Sequence, residues 1–291
     1  MNRAIHRTAP AKLNLYLHVI GRRETGYHEL DSLVTFLDLG DSLEVSEASD
    51  LTLEVIGPLA AGVPTGEDNL VLRAARALAK AYGVEARARI HLEKRLPSAA
   101  GLGGGSADAA AALLALAELW QVPAEPDRLT EIGLSIGADL PVCLRGRSTR
   151  MQGIGERLLP APVVPPCGVI LLNPGIPLAT GDVFAARTGA FSEPAELPSR
   201  FADTAVLVAS LAACRNDLEA PAKASAPEVG TALATLKALP GARLVRMAGS
   251  GATCFALFDN AASAEAALAR LELPAAGWWS AATAISRYAQ V

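Results

Sequence analysis

Residues 101–112 read GLGGGSADAAAA, and four of the first five residues in this run are glycine. Glycine loses more conformational freedom on ordering than any other residue, so such a run is unfavourable unless something requires it. The segment after Ser106 is rich in good helix formers, and N–H groups at a helix N-terminus attract anions. A tight turn from a strand into a helix would need only one or two glycines. The run therefore predicts a loop whose backbone closely approaches a phosphate group.

Three common phosphate-binding patterns do not fit this run. The Walker pattern requires a Gly-Lys pair, and the sequence has none. The dinucleotide fingerprint G-x-G-x-x-G fails because Ser106 takes its last position when the count starts at Gly101. The H-R-D and D-F-G sequences of protein kinases are absent. A nicotinamide-dependent oxidoreductase and a protein kinase are therefore disfavoured.

Two charged residues could carry chemistry next to a bound phosphate. Lys12 alternates with leucines in a predicted strand, where burial of an unpaired ammonium group is unfavourable. Asp139 lies between Gly137 and Pro141, which predicts a turn. From these residues alone, an exposed strand lysine is an equal alternative for Lys12, and a capping or turn role is the favoured one for Asp139.

A second group of residues could bind a polar ligand. Asn14 shares the predicted face of Lys12, Tyr27 offers a ring that could stack on a base, and His28 offers a donor and an acceptor. From these two residues alone, an ordinary polar loop is the favoured interpretation of Tyr27 and His28. The glycines at 249 and 251 by themselves indicate a hairpin turn that joins two strands.

The hydrophobic pattern predicts the elements that position these residues. Residues 12–19 alternate between a leucine-rich face and a polar face, which is typical of a strand. Loops are predicted at 21–30 and 189–199. Further strands are predicted at 32–39, 41–47, 50–57, 84–97, near Val142, at 168–175, on both sides of a glycine turn within 244–258, and in the last residues. Helices are predicted at 69–83, from Ser106 to Leu119, at 126–137, from 181, and at 204–213, 227–238 and 263–273. Strands and helices do not alternate strictly, so an α+β fold is predicted.

Composition bounds the class of protein. The 291 residues are 51% hydrophobic and carry a net charge of −4, which favours a globular protein and disfavours nucleic acid as a partner. Lys12 and Asn14 interrupt the apolar N-terminal segment, and no apolar run is long enough to span a membrane. The four cysteines lack metal-ligand spacing and are expected to be reduced and buried, as in a cytoplasmic protein. Prolines at 160, 162, 165 and 166 predict a boundary between domains 1–160 and 161–291.

The sequence resembles a known enzyme superfamily. PSAAGLGGGSADAA (97–110) resembles the phosphate-loop motif P-x-x-x-G-L-G-[GS]-[GS]-[SA] of the GHMP small-molecule kinases. APAKLNLYLHVIGRRETGYHEL (9–30) is similar to the N-terminal signature of one branch, and NLVLRAA, GADLPVCL, GIGERL, NDLEAPA and MAGSGATCFALF match its later blocks in order. The similarity spans nearly the whole chain. Thr25 replaces a common Asp, and Ala107 replaces a common Ser, which removes one hydroxyl group and leaves the loop backbone intact.

The resemblance implies a fold and an activity. The fold would comprise an N-terminal ATP-binding domain and a C-terminal ferredoxin-like α+β domain with the active site between them. The branch phosphorylates the 2-hydroxyl group of a small molecule, a cytidine diphosphate-linked methylerythritol, in the non-mevalonate route to isoprenoid precursors. The cofactors would be ATP and Mg²⁺, and the ion would be held mainly by phosphates and water rather than by a cluster of protein ligands.

The resemblance also assigns roles to residues. Asp139 would accept the proton of the substrate hydroxyl group, and Lys12 would keep Asp139 ionised and stabilise developing negative charge. Asn14, Tyr27 and His28 would contact the substrate, and Asn69 and Lys94 would lie close to the nucleotide. The glycine turn at 249–251 would have a supporting role near the phosphates, and a simple hairpin turn is an equal alternative for it. The residues implied to bind ATP are Pro97, Ser98, Ala99, Ala100, Gly101, Leu102, Gly103, Gly104, Gly105, Ser106 and Ala107.

Two rival functions are weighed against this one. The first is another kinase of the superfamily, of the homoserine or mevalonate type, against which the Tyr27–His28 loop and the triple glycine argue. The second is a catalytically inactive nucleotide-binding regulator, against which the presence of both Lys12 and Asp139 argues.

Overall fold

The computed structural model describes residues 3–286. The strands in this range are β1 (Ala4–Arg22), β2 (His28–Ser46), β3 (Leu51–Ile56), β4 (Ala88–Glu93), β5 (Thr149–Gly153), β6 (Arg157–Pro160), β7 (Gly168–Asn173), β8 (Leu244–Met247), β9 (Cys254–Phe258) and β10 (Trp279–Ala284). The helices are α1 (Leu70–Tyr82), α2 (Gly104–Leu119), α3 (Pro126–Leu134), α4 (Leu140–Arg145), α5 (Thr180–Ala185), α6 (Thr204–Ala212), α7 (Glu219–Ser225), α8 (Pro227–Lys237) and α9 (Ala261–Leu268).

The chain packs into two compact units, each discontinuous along the sequence. The first unit holds the residues up to Ala11, Gly40–Ser98 and Gly103–Gly146. The second holds Lys12–Leu39, Ala99–Leu102 and the chain from Arg147 onward. Both long strands, β1 and β2, contribute to both units. The division into 1–160 and 161–291 stays a prediction.

In the first unit a small sheet supports a group of helices. The end of β2 pairs antiparallel with β4, and β3 pairs parallel with β4. Helix α2 packs against α1 and α4, and α3 packs against α4. Because α2 is built almost wholly of alanine and leucine, it can be buried on nearly every side, and it is. Helix α1 ends at Gly83 in a left-handed conformation, at the glycine that the sequence predicts as its stop.

The second unit contains a four-stranded antiparallel sheet in the order β10-β7-β9-β8. Counted from β7 along the chain, this order is 4-1-3-2, with α8 and α9 packed against the sheet. This is the ferredoxin-like arrangement that the sequence resemblance implies, and the α+β prediction is confirmed. Elsewhere in the unit, β2 pairs antiparallel with β5 over Leu30–Val34, and β5 pairs with β6.

The structure corrects several predicted elements. Val142 lies in α4 and not in a strand, because Pro141 stands in the first turn of a helix, where its missing N–H group is tolerated. The predicted loop at 21–30 shrinks to 23–27, and the two predicted strands at 32–39 and 41–47 form the single strand β2. The short elements α7, β5 and β6 were not predicted. The polar face of residues 12–19 is as buried as the leucine face.

Other features bear on the predictions for the C-terminus and the cysteines. The last residues, where a strand is predicted, include 287–291, which lie outside the described residues, and β10 ends just before them at Ala284. The four cysteines are buried free thiols, as expected. Within residues 3–286, no helix has the length and apolar character that crossing a membrane would need.

Candidate functional site

The glycine-rich loop ends in the first turn of α2. The helix begins at Gly104, two residues before the predicted start at Ser106. Ala99, Gly101 and Gly103 have φ angles of 50°, 74° and 65°, so every second residue is left-handed, a conformation that favours glycine. Ala107 N donates to Gly103 O at 2.8 Å. The N–H groups before Ala107 have no acceptor inside the helix, so they are available to an anion.

The start of α1 lies against this first turn. A Cβ atom built on Gly105 would lie 3.5 Å from Leu70 Cδ1, and Leu70 is the first residue of α1. A Cβ atom built on Gly137 would lie 3.9 Å from Ser106 Oγ. The N-termini of two long helices and the turn before Asp139 therefore meet within the first unit. The aligned peptide dipoles of α1 and α2 make this region favourable for negative charge.

A buried ionic cluster supports the glycine loop from inside the first unit. Lys94 Nζ donates to Asp108 Oδ2 at 2.7 Å and also to Asp41 Oδ2. Asp41 Oδ1 accepts the N–H groups of Arg95 and Leu96 at 2.6 and 2.9 Å. Asp41 thus holds the chain where it enters the loop, and Lys94 links that point to α2 through Asp108.

The charges in this cluster are shifted by their surroundings. Burial, offset by the charge of Lys94 and reinforced by that of Asp41, raises the pKa of Asp108 to about 7. Burial alone would lower the pKa of Lys94, but the two carboxylates raise it. Among the described residues, Asp108 Oδ1 is buried and has no hydrogen-bond partner.

Asn69 and Asp139 lie at the starts of α1 and α4. Asn69 Oδ1 accepts Val71 N at 2.8 Å and caps α1, while its Nδ2 donates to Pro64 O at 2.6 Å. Asp139 occupies the N-cap position of α4, but its side chain makes no capping hydrogen bond to residues 140–145. A capping role, the favoured alternative for Asp139 from sequence alone, therefore has no support in the part of the chain described. The turn predicted at this position is confirmed.

Lys12 and Asn14 belong to a buried polar group in the second unit. Lys12 is 4% exposed and Asn14 is 1% exposed, which overturns the alternative of an exposed strand lysine. Lys12 Nζ donates to Asn14 Oδ1 at 2.7 Å, and Asn14 Nδ2 donates to Ser32 Oγ at 2.9 Å. A buried ammonium group with a carboxamide acceptor is chemically suited to stabilise negative charge on a neighbouring group.

Residues 99–102 pack closely against the glycine turn between β8 and β9. The backbone N of Lys12 donates to Leu102 O at 2.9 Å, and Thr253 N donates to Ala100 O at 3.3 Å. A Cβ atom on Gly101 would overlap the carbonyl oxygen of Ala248, and one on Gly249 would lie 2.7 Å from Gly101 O. Glycine is thus needed at both positions. The hairpin turn predicted here is confirmed by the antiparallel pairing of β8 with β9, and a supporting role near the phosphates stays a prediction.

Tyr27 and His28 lie where the short 23–27 loop enters β2. Tyr27 is 64% exposed, while the His28 ring stacks on Phe184 with 5.2 Å between ring centroids. Burial, and then the charges of Arg22 and Arg187, lower the pKa of His28. A neutral imidazole presents one donor and one acceptor, which is what recognition of a base edge requires.

Sequence reasoning missed several residues that hold the site. Asp31 is fully buried, and Arg150 binds it through Nε at 2.7 Å and Nη2 at 2.9 Å. Burial alone would raise the pKa of Asp31, but hydrogen bonds from Arg150, Gln152 and Ala195 N lower it. Asn216 Nδ2 donates to Met247 O and Gly249 O at 2.8 and 2.7 Å and so supports the glycine turn. The sequence did contain one signal for Asp31, because a charged residue beside an apolar strand segment is unusual.

Comparison with known proteins identifies the family to which this protein belongs. The family model for the GHMP kinases N terminal domain matches residues 69–147, and the model for the GHMP kinases C terminal matches residues 204–275. The chain belongs to the GHMP kinases.

Relatives with high sequence identity that align with most of this chain share one name. The 4-diphosphocytidyl-2-C-methyl-D-erythritol kinase of Paramagnetospirillum magneticum is 54% identical over 275 residues, covering 94% of this chain and 95% of the relative. That of Granulibacter bethesdensis is 50% identical, with 93% and 91% covered. A crystal structure of 4-(cytidine 5'-diphospho)-2C-methyl-D-erythritol kinase matches with a TM-score of 0.79 at 36% identity, covering 96% and 98% of the two chains. Homoserine kinase from Cytophaga hutchinsonii shares the fold, with a TM-score of 0.67 at 17% identity over 97% of this chain and 94% of that one.

Proposed function

We propose that this protein transfers a phosphoryl group from ATP to the 2-hydroxyl group of 4-diphosphocytidyl-2-C-methyl-D-erythritol, a step in the non-mevalonate route to isoprenoid precursors. The observation that carries this proposal is the 54% identity over 94% of the chain to a kinase named for that substrate. The homoserine and mevalonate types share the fold at 17% and 10% identity, so likeness to them supports the architecture alone.

The loop from Pro97 to Ala107 is the proposed cradle for the phosphates of ATP. Its support is the set of N–H groups at the start of α2, together with the N-terminus of α1 beside it. Gly105 is exposed, and Gly104 and Ser106 are partly exposed, so an anion can reach this backbone. Asn69 and Lys94 stay candidates for the neighbourhood of the nucleotide, since Leu70 and Gly104 adjoin the same turn.

Asp139 and Lys12 are the proposed reactive pair. The Asp139 carboxylate would take the proton of the 2-hydroxyl group as that oxygen forms a bond to the γ-phosphorus. The bond from the γ-phosphorus to the bridging oxygen breaks, and ADP leaves. The Lys12 ammonium group, buried and oriented by Asn14, would stabilise the negative charge that develops during the transfer.

Asn14, Tyr27 and His28 are the proposed substrate contacts. Ser32, the partner of Asn14, is four positions after His28 in β2, which corresponds to about 13 Å of strand. This separation suits an elongated molecule with a base at one end and an alcohol at the other. The neutral His28 and the exposed ring of Tyr27 would bind the cytosine, and Asn14 would lie near the reacting alcohol.

Mg²⁺ would accompany ATP and would be held mainly by phosphate oxygens and water. The anion-attracting helix starts fit a metal–nucleotide complex that retains negative charge. The ion would supply charge neutralisation at the transferred phosphoryl group.

The decisive experiment mixes purified protein with ATP, Mg²⁺ and 4-diphosphocytidyl-2-C-methyl-D-erythritol and follows the products by phosphorus NMR. Release of ADP together with a new phosphomonoester on the 2-oxygen is the expected result. Homoserine and mevalonate serve as control acceptors and should give no ADP above background. Turnover with one of these controls and not with the cytidine substrate would overturn the proposed substrate and keep the kinase class.

A further inference from the structure

Four residues of β1 and β2 form a directed chain of hydrogen bonds in the second unit. Lys12 Nζ donates to Asn14 Oδ1 at 2.7 Å, Asn14 Nδ2 donates to Ser32 Oγ at 2.9 Å, and Ser32 Oγ donates to Tyr16 O at 2.5 Å. Ser32 and Tyr16 are fully buried, and Asn14 is 1% exposed. Water therefore has almost no access with which to replace any link.

The direction of this chain is fixed by the single proton of the Ser32 hydroxyl group. The carbonyl oxygen of Tyr16 can only accept, so the Ser32 proton points to it, and Ser32 presents lone pairs to Asn14. The carboxamide of Asn14 must then turn its NH₂ group to Ser32 and its oxygen to Lys12. In the reversed orientation, an NH₂ group would face the Lys12 ammonium group and an oxygen would face lone pairs, and both hydrogen bonds would be lost.

The Tyr16 and Ser32 ends of the chain are themselves anchored. Tyr16 Oη donates to Asp31 Oδ2 at 3.0 Å, and Asp31 precedes Ser32 in β2. Arg150, which is held in β5, binds both carboxylate oxygens of Asp31. The position of the Ser32 hydroxyl group is thus set by the pairing of β2 with β5 and by the ion pair between Asp31 and Arg150.

We propose that Ser32 is a positioning residue that orients the Lys12 ammonium group through the carboxamide of Asn14. The inference rests on the proposed function, in which Lys12 stabilises the phosphoryl group during transfer. An ammonium group has three donors on a flexible stem, and fixing one of them on Asn14 Oδ1 determines where the others point. Small displacements of such groups strongly reduce the rate of transfer.

The first test compares Ser32→Ala with Thr35→Val. Thr35 is fully buried three residues further along β2, and its hydroxyl group bonds to Ser148 Oγ, outside the chain of hydrogen bonds. Ser32→Ala should lower kcat about 10-fold while changing the KM for ATP less than about 2-fold. Thr35→Val should keep the wild-type kcat at a similar loss of Tm. Ser32→Thr retains the hydroxyl group and should recover most of the lost kcat.

The second test is a double-mutant cycle with Asn14→Ala. If Ser32 acts through Asn14, then Ser32→Ala should lower kcat less than about 2-fold further in the Asn14→Ala background. If the fold losses in kcat of the two single variants multiply in the double variant, Ser32 acts independently of Asn14, and the inference is overturned. A normal kcat for Ser32→Ala beside an impaired Asn14→Ala would overturn it too, and would leave the proposed function standing. A normal kcat for Asn14→Ala would instead remove this group of residues from the proposed site.

Discussion

Lys94 and Asp108 form an ion pair in which Nζ lies 2.7 Å from Oδ2 and both side chains are only 4% exposed. Asp41 binds the same ammonium group from strand β2. Two carboxyl groups thus share one buried cation directly behind the first turn of α2. The cluster joins the strand exit at Leu96 to the helix that follows the glycine loop, and it defines where that loop begins and ends.

Substitution of Lys94 should be far more damaging than substitution of an exposed cation. Lys94→Met leaves Asp41 and Asp108 buried without their cation, which should lower the free energy of unfolding by about 3–5 kcal/mol. Arg128 pairs with Glu131 at 2.8 Å with side chains 46% and 66% exposed, so Arg128→Met should cost less than about 1 kcal/mol. Urea denaturation of the two variants measures the difference. Equal losses would show that the buried cluster contributes nothing beyond a surface pair.

The raised pKa of Asp108 predicts a specific dependence of stability on pH. Below the pKa of an unfolded aspartate, near 3.9, both states are protonated and the group has no effect. Between that value and about 7, the folded protein binds more protons at Asp108 than the unfolded chain does, so its contribution to stability falls as pH rises. Asp108→Asn removes this dependence. The Tm of the wild type relative to Asp108→Asn should therefore decline from pH 5 to pH 8, and a constant difference in Tm would contradict the prediction.

The main architecture could be predicted from sequence because its signals are local. Alternation in residues 12–19, the glycine after α1 and the alanine-rich run after Ser106 each specify an element through neighbouring residues. The burial of Lys12 and Asn14 could not be predicted. Alternation of polar and apolar residues along a strand shows that its two faces differ, but it does not show whether both faces are buried. The strand expected at Val142 failed for a related reason, since a short apolar run fits a strand or a helix and Pro141 decided for the helix.

The supporting residues of the candidate site depend on contacts far apart in sequence. Asp41 reaches Lys94 across 53 positions, and Asp31 reaches Arg150 across 119. No spacing rule connects residues at such separations, and neither acid belongs to the motifs quoted for the loop. The family resemblance identified candidate contacts for ligands. The residues that hold these candidates in place could be identified only from the contacts in the folded structure.

Gly101 should be intolerant of even the smallest side chain. Gly101→Ala combines a φ of 74° with overlap between the new Cβ atom and the carbonyl oxygen of Ala248. Gly189 has a φ of 90°, and a Cβ atom added there would meet nothing within 4 Å, so Gly189→Ala tests the backbone conformation alone. The conformational change costs about 1 kcal/mol, and we expect Gly101→Ala to lose at least about 1–3 kcal/mol more through steric overlap. Thermal unfolding of both variants gives the comparison. Similar Tm values would mean that the 248–251 turn moves away from the new Cβ atom at no cost in stability.

Replacement of Asp139 separates binding from chemistry. Asp139→Asn keeps the size of the side chain and removes its ability to accept a proton as a carboxylate, so kcat should fall at least about 100-fold. The affinity for ATP, measured by calorimetry in the absence of the alcohol substrate, should change little, because the proposed cradle is built from the backbone of the glycine loop. Asp127, an exposed acid in the first turn of α3, supplies the matched control, and Asp127→Asn should turn over at the wild-type rate. Should Asp139→Asn retain comparable turnover, the proton must pass to another acceptor. Should it lose ATP binding as well, the carboxylate would be supporting the loop and not the transfer.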